Sequence, residues 1–212
     1  MPRLSYEQET ERQDKMKETE KRLWSAGYRL IAGVDEAGRG PLAGPVYAAA
    51  VILPQDIRLD GINDSKKLSP KKREELFDEI TEKAISYAIF SVDEKEIDKI
   101  NILRATHKAM NGAVLALSKK PDYVIIDGNS ISGMVLPHET IVKGDAKSIS
   151  IAAASILAKV ARDRYITEMA ALYPEYHFEK HKGYGTKEHT EAILKYGASP
   201  IHRKTFLKNI LK

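Results

Sequence analysis

The spacing of apolar residues changes along this chain, and the changes mark out strands and helices in alternation. From Arg29 to Asp35, and again from Pro45 to Leu53, apolar positions run nearly unbroken. Val46-Tyr47-Ala48-Ala49-Ala50-Val51-Ile52-Leu53 has the pattern of a strand buried on both faces. Gly38, Gly40, Pro41 and Gly44 lie between these two strands and mark a tight connection. Ser69-Pro70 is a favourable helix start, with Ser at the cap and Pro at the first helical position. Leu76, Phe77, Ile80 and Ala84 then recur at helical spacing, and a strand over Ser86–Val92 follows. A helix is predicted over about 101–118, with Leu103, Ala109, Met110, Val114 and Leu117 as its stripe, broken by Pro121-Asp122. Tyr123–Asp127 and Glu139–Val142 are predicted strands. A long helix spans 147 to about 172, and its run of Ala152, Ala153, Ala154 and Ser155 allows close packing on a sheet. The last helix runs from Thr186 to about Tyr196, ahead of a polar C-terminal tail with Pro200. This order predicts an α/β fold: a mixed sheet flanked by helices, with a C-terminal helical segment.

Residues 1–28 are rich in Glu, Lys, Arg and Gln, and apolar positions such as Leu4, Tyr6, Met16, Leu23 and Trp24 are sparse. They are expected to form an N-terminal helical extension that docks through its C-terminal end and closes at Gly27; a disordered tail is the alternative for the first ten. Residues 29–212 are expected to form the main domain. No apolar run approaches the roughly 20 residues that span a bilayer. The charged N-terminus has no signal-peptide pattern. With no cysteine, disulfides and thiolate metal sites are excluded, which fits a reducing compartment; a cytoplasmic protein is expected. The net charge of +4 is weak evidence for a nucleic-acid partner. Local clusters say more: Lys66, Lys67, Lys71, Lys72 and Arg73 surround one helix start, and Lys180-His181-Lys182 precedes Gly183-Tyr184-Gly185.

Four acids share a position type. Asp35 and Glu36 close the first predicted strand, Asp127 closes a later one, and Asp145 follows Gly144 just ahead of the long helix. Any one alone could be a turn former or cap. Adjacent side chains on a strand diverge, so Asp35 and Glu36 can converge only if the backbone bends, a freedom expected of Gly38 and Gly40. Strand ends of an open α/β sheet meet at a ligand crevice, where four carboxylates would repel one another unless a cation neutralised them. Mg²⁺-like ions prefer oxygen ligands, and two of them about 4 Å apart can clamp the attacking and leaving oxygens of a phosphodiester. The chemistry expected is metal-assisted phosphodiester hydrolysis.

Val34-Asp35-Glu36-Ala37-Gly38-Arg39-Gly40-Pro41-Leu42-Ala43-Gly44-Pro45-Val46 resembles the opening signature of type 2 ribonuclease H, the bacterial ribonuclease HII family. Further matches follow in family order: Asp64-Ser65-Lys66-Lys67-Leu68, Ile126-Asp127-Gly128-Asn129, Gly144-Asp145 with Ile151–Ile156, Lys182-Gly183-Tyr184-Gly185-Thr186, and His202-Arg203-Lys204-Thr205-Phe206. The resemblance covers about 29–207 and implies a ribonuclease H-like fold. It implies an endonuclease that cuts the RNA strand of RNA·DNA hybrids and incises 5′ of single ribonucleotides in duplex DNA. Products would be 5′-phosphate and 3′-hydroxyl ends, and the cofactor Mg²⁺ or Mn²⁺, two ions with substrate bound.

By the same matching, Asp35, Glu36, Asp127 and Asp145 are the active-site and metal-binding acids, with Asp35 bridging two ions. Asp163 is a secondary participant or an intrahelical ion-pair residue. Gly38-Arg39-Gly40 is the ribose reader, Tyr184 stacks beside the scissile position, and Lys66, Lys67 and Lys182 contact phosphates. A monomer is expected. The tail Phe206–Leu211 either contacts a partner such as a sliding clamp or merely packs. The rival readings are a type 3 ribonuclease H, a non-catalytic nucleic-acid-binding module on the same fold, and another nuclease or integrase of that superfamily.

Overall fold

The structure is a computed structural model, and it describes residues 5–211. Five strands, β1 (Ile31–Ala37), β2 (Val46–Ile52), β3 (Ser86–Val92), β4 (Tyr123–Asp127) and β5 (His138–Ile141), form one sheet in the order β3-β2-β1-β4-β5. β1 pairs antiparallel with β2, as β2 does with β3; β4 runs parallel to β1 and β5 parallel to β4. Asp122 fixes the start of the parallel pair by accepting from the amides of Arg29 and Leu30. Every residue of β2 except Tyr47 is buried, as its apolar run requires.

Helices cover both faces. One face packs on α3 (Pro70–Lys83) and α6 (Ile149–Leu172) around Val51, Leu76, Ile80, Ile156 and Leu157. The other packs on α4 (Glu94–Ile100) and α5 (Ile102–Leu115) around Val34, Ala50, Ala109, Met110 and Ile126. Contact between α6 and β1 is close: a Cβ on Gly33 would overlap the backbone of Ser150. The small residues of α6 do what their size suggested. At the start of α3, Ser69 accepts from the amide of Lys72 and Pro70 opens the helix, also as read from the sequence.

Other features differ from expectation. The stretch 94–118 holds two helices, since Asn101, at φ 70°, ends α4 and its side chain caps α5. The N-terminal extension is likewise two helices, α1 (Tyr6–Met16) and α2 (Glu18–Ser25), and it docks along its length rather than by its end alone. Glu9 and Gln13 accept from the amides of Gly61 and Leu59, and Lys17 reaches the carbonyl of Ile57. Glu20 is buried against the first turn of α6, accepting from the Ser148 hydroxyl at 2.6 Å and the Ser150 amide at 3.1 Å. Gly27 closes α2 with φ 102°, as anticipated. Ser5 and Gln8 form a reciprocal cap at the start of α1, so the described part of the first ten residues is helical; Leu4 lies outside the described residues.

The C-terminal segment is polar in composition but buried in fact. Beyond α7 (Phe178–His181) and α8 (Lys187–Tyr196), Ile201, His202, Arg203 and Leu207 are all buried, packed with Ala43, Ile166 and Phe178. Phe206 and Ile210 pack against the core as well. No described helix is long and apolar enough to cross a membrane.

Candidate active site

Strand register places the acids. The ladder between β1 and β4 ends at Val34 opposite Ile126, so Asp35 and Asp127 are the next residues where two parallel strands part. β1 meanwhile continues along β2, with Asp35 opposite Ala49 and Glu36 opposite Ala48. Asp35 and Glu36 therefore lie within a strand rather than at a bend, which corrects the expectation that glycine freedom turns them together. They converge because the sheet opens on the β4 side: carboxylate oxygens of Asp35, Glu36 and Asp127 lie within 4.8 Å of one another. The backbone turns only after Ala37, at Gly38, whose φ is 96°.

This cluster has little to offset its charge. Asp35 is buried, and its carboxylate accepts from the amide of Glu36 at 2.7 Å. Burial first, then the charges of Glu36 and Asp127, raise Asp35 well above the ordinary carboxylate range. Burial also raises Glu36, against the attraction of Arg39, whose Nη1 lies 3.5 Å away on a half-exposed side chain. Oxygen-only donors, crowded and kept partly from water, form a set that a hard divalent cation fits and relieves.

Asp145 stands apart from this triad but is tied to it. Asp127 accepts from the amide of Gly144 at 2.6 Å, which fixes the turn carrying Asp145. The Asp145 carboxyl is raised by burial and then by Asp64 and Asp127, with Lys66 opposing. Asp64, which opens one of the family-like motifs but is not among the four acids expected at the site, thus belongs to the acidic neighbourhood; its side chain also accepts from the Lys66 amide. His107 was also missed. It shares a small cleft with Glu36, Arg39, Asp127 and Asn129, yet nothing in its place on α5 sets it apart from a surface histidine. Asp163 pairs with Lys159 at 2.7 Å one turn back, the intrahelical ion pair that was its second reading.

Next to the acids is a turn with nearly all of its carbonyls held. Arg203 donates to the carbonyls of Gly38, Arg39, Pro41 and Gly44, and its amide to that of Leu42. Arg162 donates to the carbonyls of Ala43 and Pro45. From Gly38 to Pro45 the Gly40 carbonyl alone accepts no hydrogen bond among the described residues, and the amides of Arg39 and Gly40 donate none. Tyr184 stands beside this open point: its ring lies 3.5 Å from where a Gly40 Cβ would be, and it is 45% exposed, not packed in a core.

A histidine chain holds the Tyr184 turn. The Ser199 amide donates to His202 Nδ1, so Nε2 of His202 carries the proton and donates to His189 Nε2 at 2.9 Å. His189 then donates from Nδ1 to the Tyr184 carbonyl at 2.9 Å. Burial lowers both histidines to about 4, so the pair is neutral at pH 7. The basic clusters are less free than their sequence suggests. Lys66 and Lys67 are exposed, but Arg73 turns inward to the carbonyls of Ser65 and Leu68, Lys180 pairs with Glu188, and Lys182 Nζ bonds Thr167.

A model of the ribonuclease HII family matches residues 32–209, a span that includes every acid and both turns. The chain belongs to the ribonuclease HII family. Ribonuclease HII of Caldicellulosiruptor saccharolyticus is 60% identical over 195 residues, which cover 92% of this chain and 95% of the relative. Among solved structures, ribonuclease H2 of Pyrococcus horikoshii superposes with a TM-score of 0.72 at 30% identity, covering 84% of this chain and 93% of that one. An RNase HII from Archaeoglobus fulgidus, solved in complex with PCNA, gives 0.70 at 28%, covering 82% and 94%. As a ribonuclease HII the chain is a type 2 ribonuclease H, a metal-dependent hydrolase acting on the RNA strand of hybrids, and the type 3 and non-catalytic readings fall away.

Proposed function

We propose that this ribonuclease HII, beyond cutting hybrids, incises duplex DNA on the 5′ side of a single embedded ribonucleotide. The supporting observation is the adjacency of two unlike features: a carboxylate triad, and a turn offering a lone carbonyl with neighbouring free amides beside an exposed tyrosine. A ribose 2′-hydroxyl is both donor and acceptor, and one carbonyl with one amide answers both capacities. Deoxyribose offers neither. Tyr184 supplies a ring to stack on the neighbouring sugar or base, while Lys66, Lys67 and Lys182 contact phosphates and fix register.

Incision 5′ of the ribonucleotide breaks the bond between phosphorus and the O3′ of the preceding deoxynucleotide. The ribose 2′-hydroxyl lies on the far side of its own sugar from that phosphate, so water is the nucleophile. The phosphate stays on the ribonucleotide, and the upstream strand ends in a 3′-hydroxyl. Asp35, Glu36, Asp127 and Asp145 would hold two Mg²⁺ or Mn²⁺ ions, which supply an activated water and neutralise the charge developing on phosphate and leaving oxygen. The acids' task is to keep those positions fixed. The enzyme is proposed to act as a monomer in the cytoplasm.

The test is cleavage of a duplex carrying one ribonucleotide, with both ends mapped. A single cut leaving a 5′-phosphate on the ribonucleotide is expected. Cleavage of continuous hybrid alone, or a cut on the 3′ side, would refute the reading.

A further inference from the structure

Arg162 and Arg203 are among the most deeply buried side chains of the molecule, 1% and 0% exposed. Neither forms an ion pair among the described residues. Asp163 is spent on Lys159, and Asp98 on the amides of Lys204 and Thr205. Burial beside Arg162 lowers Arg203 to about 9, which leaves it a cation at neutral pH. Two buried cations with no anion are costly, so a purely space-filling role is a poor explanation of them.

Their hydrogen bonds suggest a better one. A planar guanidinium can satisfy several carbonyls at fixed angles, which an ammonium cannot. Arg203 spans carbonyls from Gly38 to Gly44, and Arg162 takes those of Ala43 and Pro45. Arg162 also donates to the Lys182 carbonyl, and the Leu42 amide donates to that of Gly183, so the turn bearing Tyr184 is bound into the same unit. Gly38 is part of the fit. A Cβ there would overlap the Arg162 guanidinium.

We propose that Arg203 and Arg162 are positioning residues for ribose recognition: they draw the turn's carbonyls inward and leave Gly40 as the one point where the backbone can grip a hydroxyl. This rests on the reading of Gly38–Gly40 as the ribose-recognising turn. The two charges also lie beneath the surface that an anionic strand approaches, and they add to its attraction.

The test measures binding rather than turnover, in an Asp35→Asn parent, to a duplex with one ribonucleotide and to the same duplex in all-DNA form. The parent should favour the ribonucleotide; absence of that preference would defeat the reading of the turn, not the role of the arginines. Adding Arg203→Lys or Arg162→Lys should cut ribonucleotide affinity about tenfold and leave all-DNA affinity within about threefold, so that the preference collapses. A merely structural role would weaken both duplexes together. A folded variant that keeps the parent's preference, or loses both affinities equally, overturns the proposal. Should neither variant fold, the parent's own arginine Nε resonances decide: at saturation both should shift further with the ribonucleotide duplex than with the all-DNA duplex. No difference between the duplexes overturns it.

Discussion

Asp35, Glu36 and Asp127 crowd their carboxylates within 4.8 Å with, among the described residues, a half-exposed Arg39 as their one ion-pair partner, whereas a few residues on, the carbonyls from Gly38 to Pro45 are held almost without exception. The first region is left unsatisfied by the protein, and the second is satisfied nearly to completion. Electrostatic cost is concentrated where a cation is proposed to bind, and hydrogen bonding is concentrated in the turn proposed to read the ribose. Substitutions should therefore act in opposite senses in the two regions.

Asp35→Asn should produce the largest effect. Activity on any substrate should fall by about a thousandfold or more, as when a centre that stabilises developing charge is removed. The same change should stabilise the metal-free protein, because it removes a buried charge repelled by its neighbours while keeping the acceptor for the Glu36 amide. Thermal melts in EDTA and single-turnover cleavage check both halves. Gly33→Ala tests packing beneath the site: its methyl would overlap Ser150, so unfolding in urea should show a loss of about 3 kcal/mol.

The histidine chain gives a pH test. His189 and His202 sit at about 4 when folded, against an ordinary value near 6.5. The unfolded chain therefore takes up their protons first, and stability present above pH 6.5 should be lost as pH falls toward 4. The Asp35→Asn background removes one opposing titration, while Glu20, Glu36 and Asp145 remain; melts there should decline more steeply between pH 7 and pH 5 than those of the same protein carrying His202→Gln, and equal slopes would show that the pair is not held neutral. Tyr184→Ala should cost about tenfold on a single-ribonucleotide duplex, the scale of one stacking contact, and less on a continuous hybrid. Equal losses would remove it from recognition. Asp163→Asn should leave activity near wild type while costing about 1–3 kcal/mol of stability, because the pair with Lys159 is mostly buried and the change leaves that ammonium short of a partner.

Much of this was legible in the sequence because it is local. β3 and β4 have the predicted bounds, and Ser69-Pro70 and Gly27 punctuate helices as their chemistry suggests. Three acids of the triad could be picked out because strand ends are readable. The reason for their convergence was not, since it depends on where β4 stops pairing with β1, a relation between segments some 90 residues apart. The tail was misread for a similar reason. His202 and Arg203 look like surface residues until the partners are known, and those partners are carbonyls near residue 40 and a histidine on α8. Asp93, which caps α4, and Asn101, which divides that helix from α5, carried ordinary cap signals that the longer stripe of α5 obscured.

The contrast between the two regions can be tested in one measurement: the unfolding temperature of wild type and Asp35→Asn as Mn²⁺ is titrated in. Without ion the variant should melt higher. With ion the wild type should rise past it, because binding to the folded state alone adds stability. If the wild type melts higher from the start, or if the two curves rise in parallel, the acids are not a strained cluster awaiting a cation, and the account of the site fails.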